Sequence, residues 1–132
     1  LINLDFKNFN LNSKISEIKG NSQIEYDNSI YSKVNLIINS YKLKKINILF
    51  LHKPEEILKK KGKYLINSLK KMKKKKLISH IGYSVYNPND AKKLINKFKP
   101  DVIQIPFNVF DKRILENKFQ SFLKKKKYKN SN

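Results

Sequence analysis

The chain has 132 residues, enough for one modest domain or part of a larger one, and it lacks cysteine, which excludes a disulfide scaffold and any thiolate metal site. Thirty Lys and Arg against ten Asp and Glu give a formal net charge of +20, but Arg113 alone among the basic residues is arginine, the side chain best suited to bidentate base and phosphate contacts. Abundant Lys, Asn and Ile along the whole chain read as a compositionally biased, solvated surface, so no nucleic-acid partner is expected, and no run approaches the ~18 apolar residues of a membrane span.

No signal peptide is visible and cysteine is absent, so a cytoplasmic location is expected, while Leu1 in place of methionine implies a native start further upstream. Residues 1–10 are polar and irregular. Phe9 to Ile15 alternates apolar and polar residues, which predicts a strand. Gly20 to Asn28 is rich in Gly, Asn, Ser and Asp and reads as a loop. Ile30, Val34, Ile37, Ile38 and Tyr41 fall at helical spacing and predict a helix over 29–42, with Ser29 as its cap.

Ile46 to Leu51 has one polar residue in six and ends at His52-Lys53-Pro54, the pattern of a strand buried in a parallel sheet. Tyr64, Leu65, Leu69 and Met72 mark a helix whose outer face carries Lys70, Lys71, Lys73 and Lys74; Met72 is read as core. Leu77 to Gly82 predicts a short strand. Asn87-Pro88 is a helix start, with Ala91, Leu94, Ile95 and Phe98 as the buried stripe. Val102 to Ile105 predicts another strand, and Leu115, Phe119, Phe122 and Leu123 a last helix over 115–126.

Strands and helices thus alternate, as in a parallel α/β sheet or barrel. Glycine occurs only at 20, 62 and 82, so no Gly-x-Gly-x-x-Gly follows any strand, and the choice tilts from a doubly wound sheet towards a barrel. In a barrel the carboxyl ends of the strands converge on one mouth. The polar residues at those ends are Lys14, His52, Ser84 with Tyr83 beside it, and Gln104 with Asn108. A lone histidine is usually a surface group and a lone buried glutamine usually bonds backbone; their recurrence at matching places favours a site. No metal-ligand cluster is expected.

The succession ILFLHKPEEI, SLKKMKKKKLISHIGYSVY and KPDVIQIPFNVFDKR resembles the central part of the aldo-keto reductase family: an apolar strand ending in histidine, then an IG-x-S strand, then a Q-x-x-x-N strand. The resemblance covers roughly residues 11–127 and implies an α/β fold, a partial (β/α)₈ barrel holding about strands three to six within a single domain fragment spanning 1–132. It implies reduction of small-molecule aldehydes or ketones by hydride transfer, with NADP(H) or NAD(H) as cofactor. Under it His52 and Lys14 match two members of the family's Asp, Tyr, Lys, His tetrad. Ser84 and Gln104 match residues that hydrogen-bond the nicotinamide carboxamide.

Several positions depart from the family pattern. Val85 stands where many members have asparagine, and a turn glycine is replaced within Lys73–Lys76. The tetrad Asp and Tyr would precede residue 1; Asp5, Asp27, Tyr26 and Tyr31 lie in no matching motif. Half a barrel leaves sheet edges unpaired, so the chain alone is expected to be inactive and poorly soluble or oligomeric. The competing readings are an inert truncated remnant and, behind it, a basic nucleic-acid-binding module.

Overall fold

The computed structural model describes residues 11–105. Four strands, β1 (Asn12–Ile15), β2 (Ile46–Leu51), β3 (Ile78–Ser84) and β4 (Val102–Gln104), alternate with helices α1 (Gln23–Ser40), α2 (Gly62–Lys74) and α3 (Pro88–Lys97). The strands pair in parallel in the order β1-β2-β3-β4, each joined to the next through a helix. The expected parallel α/β alternation is therefore present. The expected last helix over 115–126 and the start of the first strand lie outside the described residues.

Side chains alternate across a strand, and the sheet uses its two faces differently. Leu49, Leu51, Ile81, Tyr83 and Ile103 pack with Ile30 and Val34 of α1, Leu65, Leu69 and Met72 of α2, and Ala91, Leu94 and Ile95 of α3 in one core. Each fully buried Leu or Ile there, such as Leu49 or Leu65, stabilises the fold by about 1.5–3 kcal/mol. The opposite face presents the even-numbered residues of β2 to β4. This face carries the candidate site.

The helix expected over 29–42 begins instead at Gln23, inside the stretch expected to be loop. Ser22, in extended backbone, caps it by accepting the Glu25 N–H at 3.2 Å. Glu25 in turn accepts the N–H of Asn21, one residue before the cap, so Ser22 and Glu25 together close the amino end. The first turn is also tied to α2. Gln23 Nε2 lies within hydrogen-bond distance of the Tyr64 carbonyl, Ser68 Oγ and Asp27 Oδ1, and Asp27 accepts from Ser68 Oγ and pairs with Lys71 Nζ, both at 2.5 Å. Ser68 is fully buried, and this network satisfies its hydroxyl.

Helices α1 and α2 end alike. Leu43 N–H reaches the Ile38 carbonyl and Lys42 N–H that of Asn39; Leu77 N–H reaches Met72 and Lys76 N–H reaches Lys73. These are Schellman closures, whose turning residue adopts left-handed backbone and is usually glycine. Here it is lysine twice, Lys42 at φ 52° and Lys76 at φ 61°. Lys76 belongs to the Lys73–Lys76 segment, within which the resemblance implies a turn glycine.

Between β2 and α2 the chain makes a 3₁₀ turn over Pro54–Leu58, too short to leave a periodic signal in the sequence. Its Ile57 carbonyl lies so close to Gly62 that a β-carbon there would stand 2.0 Å from the oxygen. Only glycine lets α2 start against this turn. Strand β3 runs past Gly82, its expected end, to Ser84. Helix α3 begins as expected, with the Asn87 side chain accepting the Asn89 N–H at 3.0 Å.

Candidate functional site

The register aligns Lys14, Phe50, Gly82 and Val102 across the sheet, and one step further places Ser84 beside Gln104. His52 follows β2 directly and shares the parity of Phe50. Lys14, His52, Ser84 and Gln104 therefore belong to one face of the sheet, at or beside the carboxyl ends of the four strands. His52, Ser84 and Gln104 form its outermost row. Lys14 stands one row lower, opposite Phe50.

Backbone bonds fix these positions. His52 N–H donates to the Ile15 carbonyl at 3.0 Å, extending the β1–β2 pairing past β2, and Val85 N–H donates to the Gln104 carbonyl at 2.9 Å. Ser84 is buried and its Oγ donates to Gln104 Oε1 at 3.3 Å. Gln104 is half-buried, while His52 and Lys14 are exposed. The hydroxyl–amide pair is held in place, and the histidine and lysine side chains face solvent.

The floor is aromatic. The Phe50 ring lies over Gly82, where a β-carbon would come within 2.5 Å of ring Cδ1. Asn12, Lys14, Ile48, Phe50, Val102 and Gln104 border a concavity of about 290 Å³ on this face. An apolar floor with a few polar groups on its rim is the usual make-up of a small-molecule pocket.

Of the strand-end residues expected at the mouth, Tyr83 is not there. Its side chain takes the helix-facing parity, is fully buried, and its hydroxyl donates to the Phe98 carbonyl at 2.6 Å. A residue adjacent to Ser84 in a strand must face the other way. Gln104 bonds the Ser84 side chain in place of the backbone group expected of an isolated buried amide. Val85 is buried in the helix-side core. Asn108 lies outside the described residues.

Tyr86 was not anticipated. It extends the Gly82, Ser84 parity beyond β3, and its ring stands 6.3 Å from that of His52, with the planes at 80°. Its signal was present as the continued alternation Gly82-x-Ser84-x-Tyr86.

Three carboxyl groups outside this row have perturbed pKa values: Asp27, Asp101 and Glu56. Burial would raise that of Asp101, but hydrogen bonds from Lys73 Nζ at 2.7 Å and the Ile81 amide at 2.9 Å, with His80 nearby, outweigh it and hold the carboxyl below its ordinary value. Asp101 N–H also donates to the Ile81 carbonyl, so this residue locks the entry of β4 to β3. Glu56 borders a crevice of about 360 Å³ together with Glu17, Tyr26 and Lys59–Lys61. Its carboxyl is raised, chiefly by burial and further by Glu17 and Glu55, against the opposing pull of the Ile18 amide and Lys59.

Among the described residues no helix is long and apolar enough to cross a membrane. The model of the Aldo/keto reductase family matches residues 5–130. No curated protein sequence matches significantly. Among solved structures, the chain is similar to aldo-keto reductase AKR11C1 from Bacillus halodurans in its apo form, at 17% identity and a TM-score of 0.56, covering 73% of this chain and 30% of that one. It is also similar to a candidate 2,5-diketo-D-gluconic acid reductase B, at 12% identity and a TM-score of 0.51, covering 80% of this chain and 38% of that one. The chain thus spans well under half the length of these two structures.

Proposed function

From the premise that this chain belongs to the aldo/keto reductase family, we propose that residues 1–132 are part of a (β/α)₈ carbonyl reductase that uses NADP(H) or NAD(H). The observation that carries this reading is the shared face of His52, Ser84 and Gln104 at successive strand ends, with Lys14 one row below. In such barrels the carboxyl ends of the strands are where chemistry is done.

The residues present fit a nicotinamide cofactor. A carboxamide needs both a donor and an acceptor, and the paired Ser84 hydroxyl and Gln104 amide offer both at one point of the rim. These two would hold the carboxamide, and the bound cofactor would supply hydride. His52, with its backbone tied to β1 and its imidazole exposed at the mouth, would donate a hydrogen bond to the substrate carbonyl oxygen. Charge developing on that oxygen is then met by a fixed donor. The Lys14 ammonium would lower the pKa of a neighbouring phenol and favour its tyrosinate, tuning it for proton transfer. That phenol is expected upstream of Leu1. The partner is a small-molecule carbonyl compound, in a cytoplasmic setting and without nucleic acid.

The deciding experiment is to recover the flanking coding sequence, express the longer product and follow NADPH absorbance with an aldehyde series. The longer product turns over, the 132-residue chain alone does not, and His52→Asn loses about 100-fold or more in rate. Absence of an upstream Asp-x-x-x-x-Tyr segment, or no turnover by the longer product, sinks the reading.

A further inference from the structure

We infer that Tyr86 is a positioning residue for His52: its ring packs edge-on against the imidazole and sets the direction in which His52 presents its N–H at the mouth. The inference rests on the carbonyl-reductase reading for its consequence, and on geometry alone for the contact.

Tyr86 stays at the surface although a core is available nearby. It is 53% exposed, whereas Val85 before it is 2% exposed. It lies two residues beyond Ser84, the last residue of β3, as His52 lies just beyond β2, and the two rings meet past the ends of these paired strands. The rings meet at 6.3 Å and 80°, within the edge-to-face range that aromatic pairs favour.

Both backbones are restrained at that point. His52 N–H is bonded to Ile15. Tyr86 is held between Val85, bonded to Gln104, and Asn87, which caps α3. An exposed histidine side chain samples several rotamers unless a neighbour selects one. The His52 imidazole makes no hydrogen bond among the described residues, so the Tyr86 ring is the group available to make that selection. Misplacing a substrate-orienting donor by about 1 Å can cost about 100-fold in rate.

The chain has two histidines, His52 and His80, so imidazole-labelled protein gives a two-signal NMR spectrum that His80→Gln assigns. Tyr86→Leu shifts the His52 ring signal by removing the ring current and leaves His80 in place. Tyr86→Phe keeps the wild-type His52 signal. In the longer active product, Tyr86→Leu lowers kcat about 10-fold or more with little change in KM, and Tyr86→Phe restores it. An unmoved His52 signal in Tyr86→Leu overturns the inference, as does an equal loss of kcat in Tyr86→Phe. If the wild-type longer product has no turnover, the carbonyl-reductase reading fails on its own, and the His52 signal still decides the contact.

Discussion

The Phe50 ring occupies the space that a side chain on Gly82 would need: the two are partners in register, and a β-carbon on Gly82 would lie 2.5 Å from ring Cδ1 and 2.6 Å from ring Cε1. Gly82→Ala should therefore push the ring from its buried position and lower stability by about 1–3 kcal/mol. Adding Phe50→Leu makes room for the methyl, so the double variant should lose less than the two single losses added together. Urea unfolding of the four proteins forms the required cycle. Strict additivity would show that the ring does not depend on the glycine.

Lys76→Gly should stabilise the protein. A left-handed residue with a β-carbon costs about 1–2 kcal/mol, and after glycine's greater loss of chain entropy a net gain of about 0.5–1 kcal/mol remains. Lys42→Gly, at the end of α1, should behave alike, and the two gains should add because the sites belong to different helices. A rise in unfolding midpoint at unchanged m value is the expected reading.

Asp27 links α1 to α2, and its stability contribution depends on pH. Burial alone would raise its carboxyl, but hydrogen bonds from Lys71, Ser68 and Gln23 bring it below the ordinary 3.8. A depressed folded pKa gives stability that is present above the unfolded value and lost as pH falls through the folded one. Asp27→Ala should thus cost about 1–2 kcal/mol near neutrality, because buried Ser68 loses its acceptor. The difference from wild type should shrink progressively below pH 3.8. A pH-independent difference would show that the ionised carboxylate is not what matters.

Glu56 has the opposite sign. Its folded pKa is raised from 4.5, so the ionised form is the disfavoured one, and at neutral pH the carboxylate opposes folding. Glu56→Gln keeps an oxygen for the Ile18 amide and removes the charge. It should raise the thermal midpoint at neutral pH, and the gain should disappear as pH falls through the raised pKa to about 4.5. Thermal scans at both pH values provide the check.

The parts legible in the sequence are those dictated by local chemistry. Strand β2 announces itself because a strand covered on both faces needs a nearly continuous apolar run, and α3 because Asn87-Pro88 both caps and starts a helix. The strand-end row of His52, Ser84 and Gln104 follows from where such runs stop. The amino end of α1 was hidden because Ser, Asn, Gln and Asp there resemble a loop until Ser68 and Lys71 of α2 supply their partners. Tyr83 was expected at the mouth and Tyr86 was not, for a simpler reason. A step of one residue from Ser84 reverses the face, whereas a step of two preserves it.

That step of two divides each strand end between separate tasks. Tyr83 and Ile103 answer to the core, and their neighbours Ser84 and Gln104 to the mouth. Under the proposed function, variation at the second pair alters how the carboxamide is held while the hydrophobic framework stays intact; variation at the first pair unsettles the framework itself. A lineage built this way can change its rim through alternate residues of a strand it never has to rebuild.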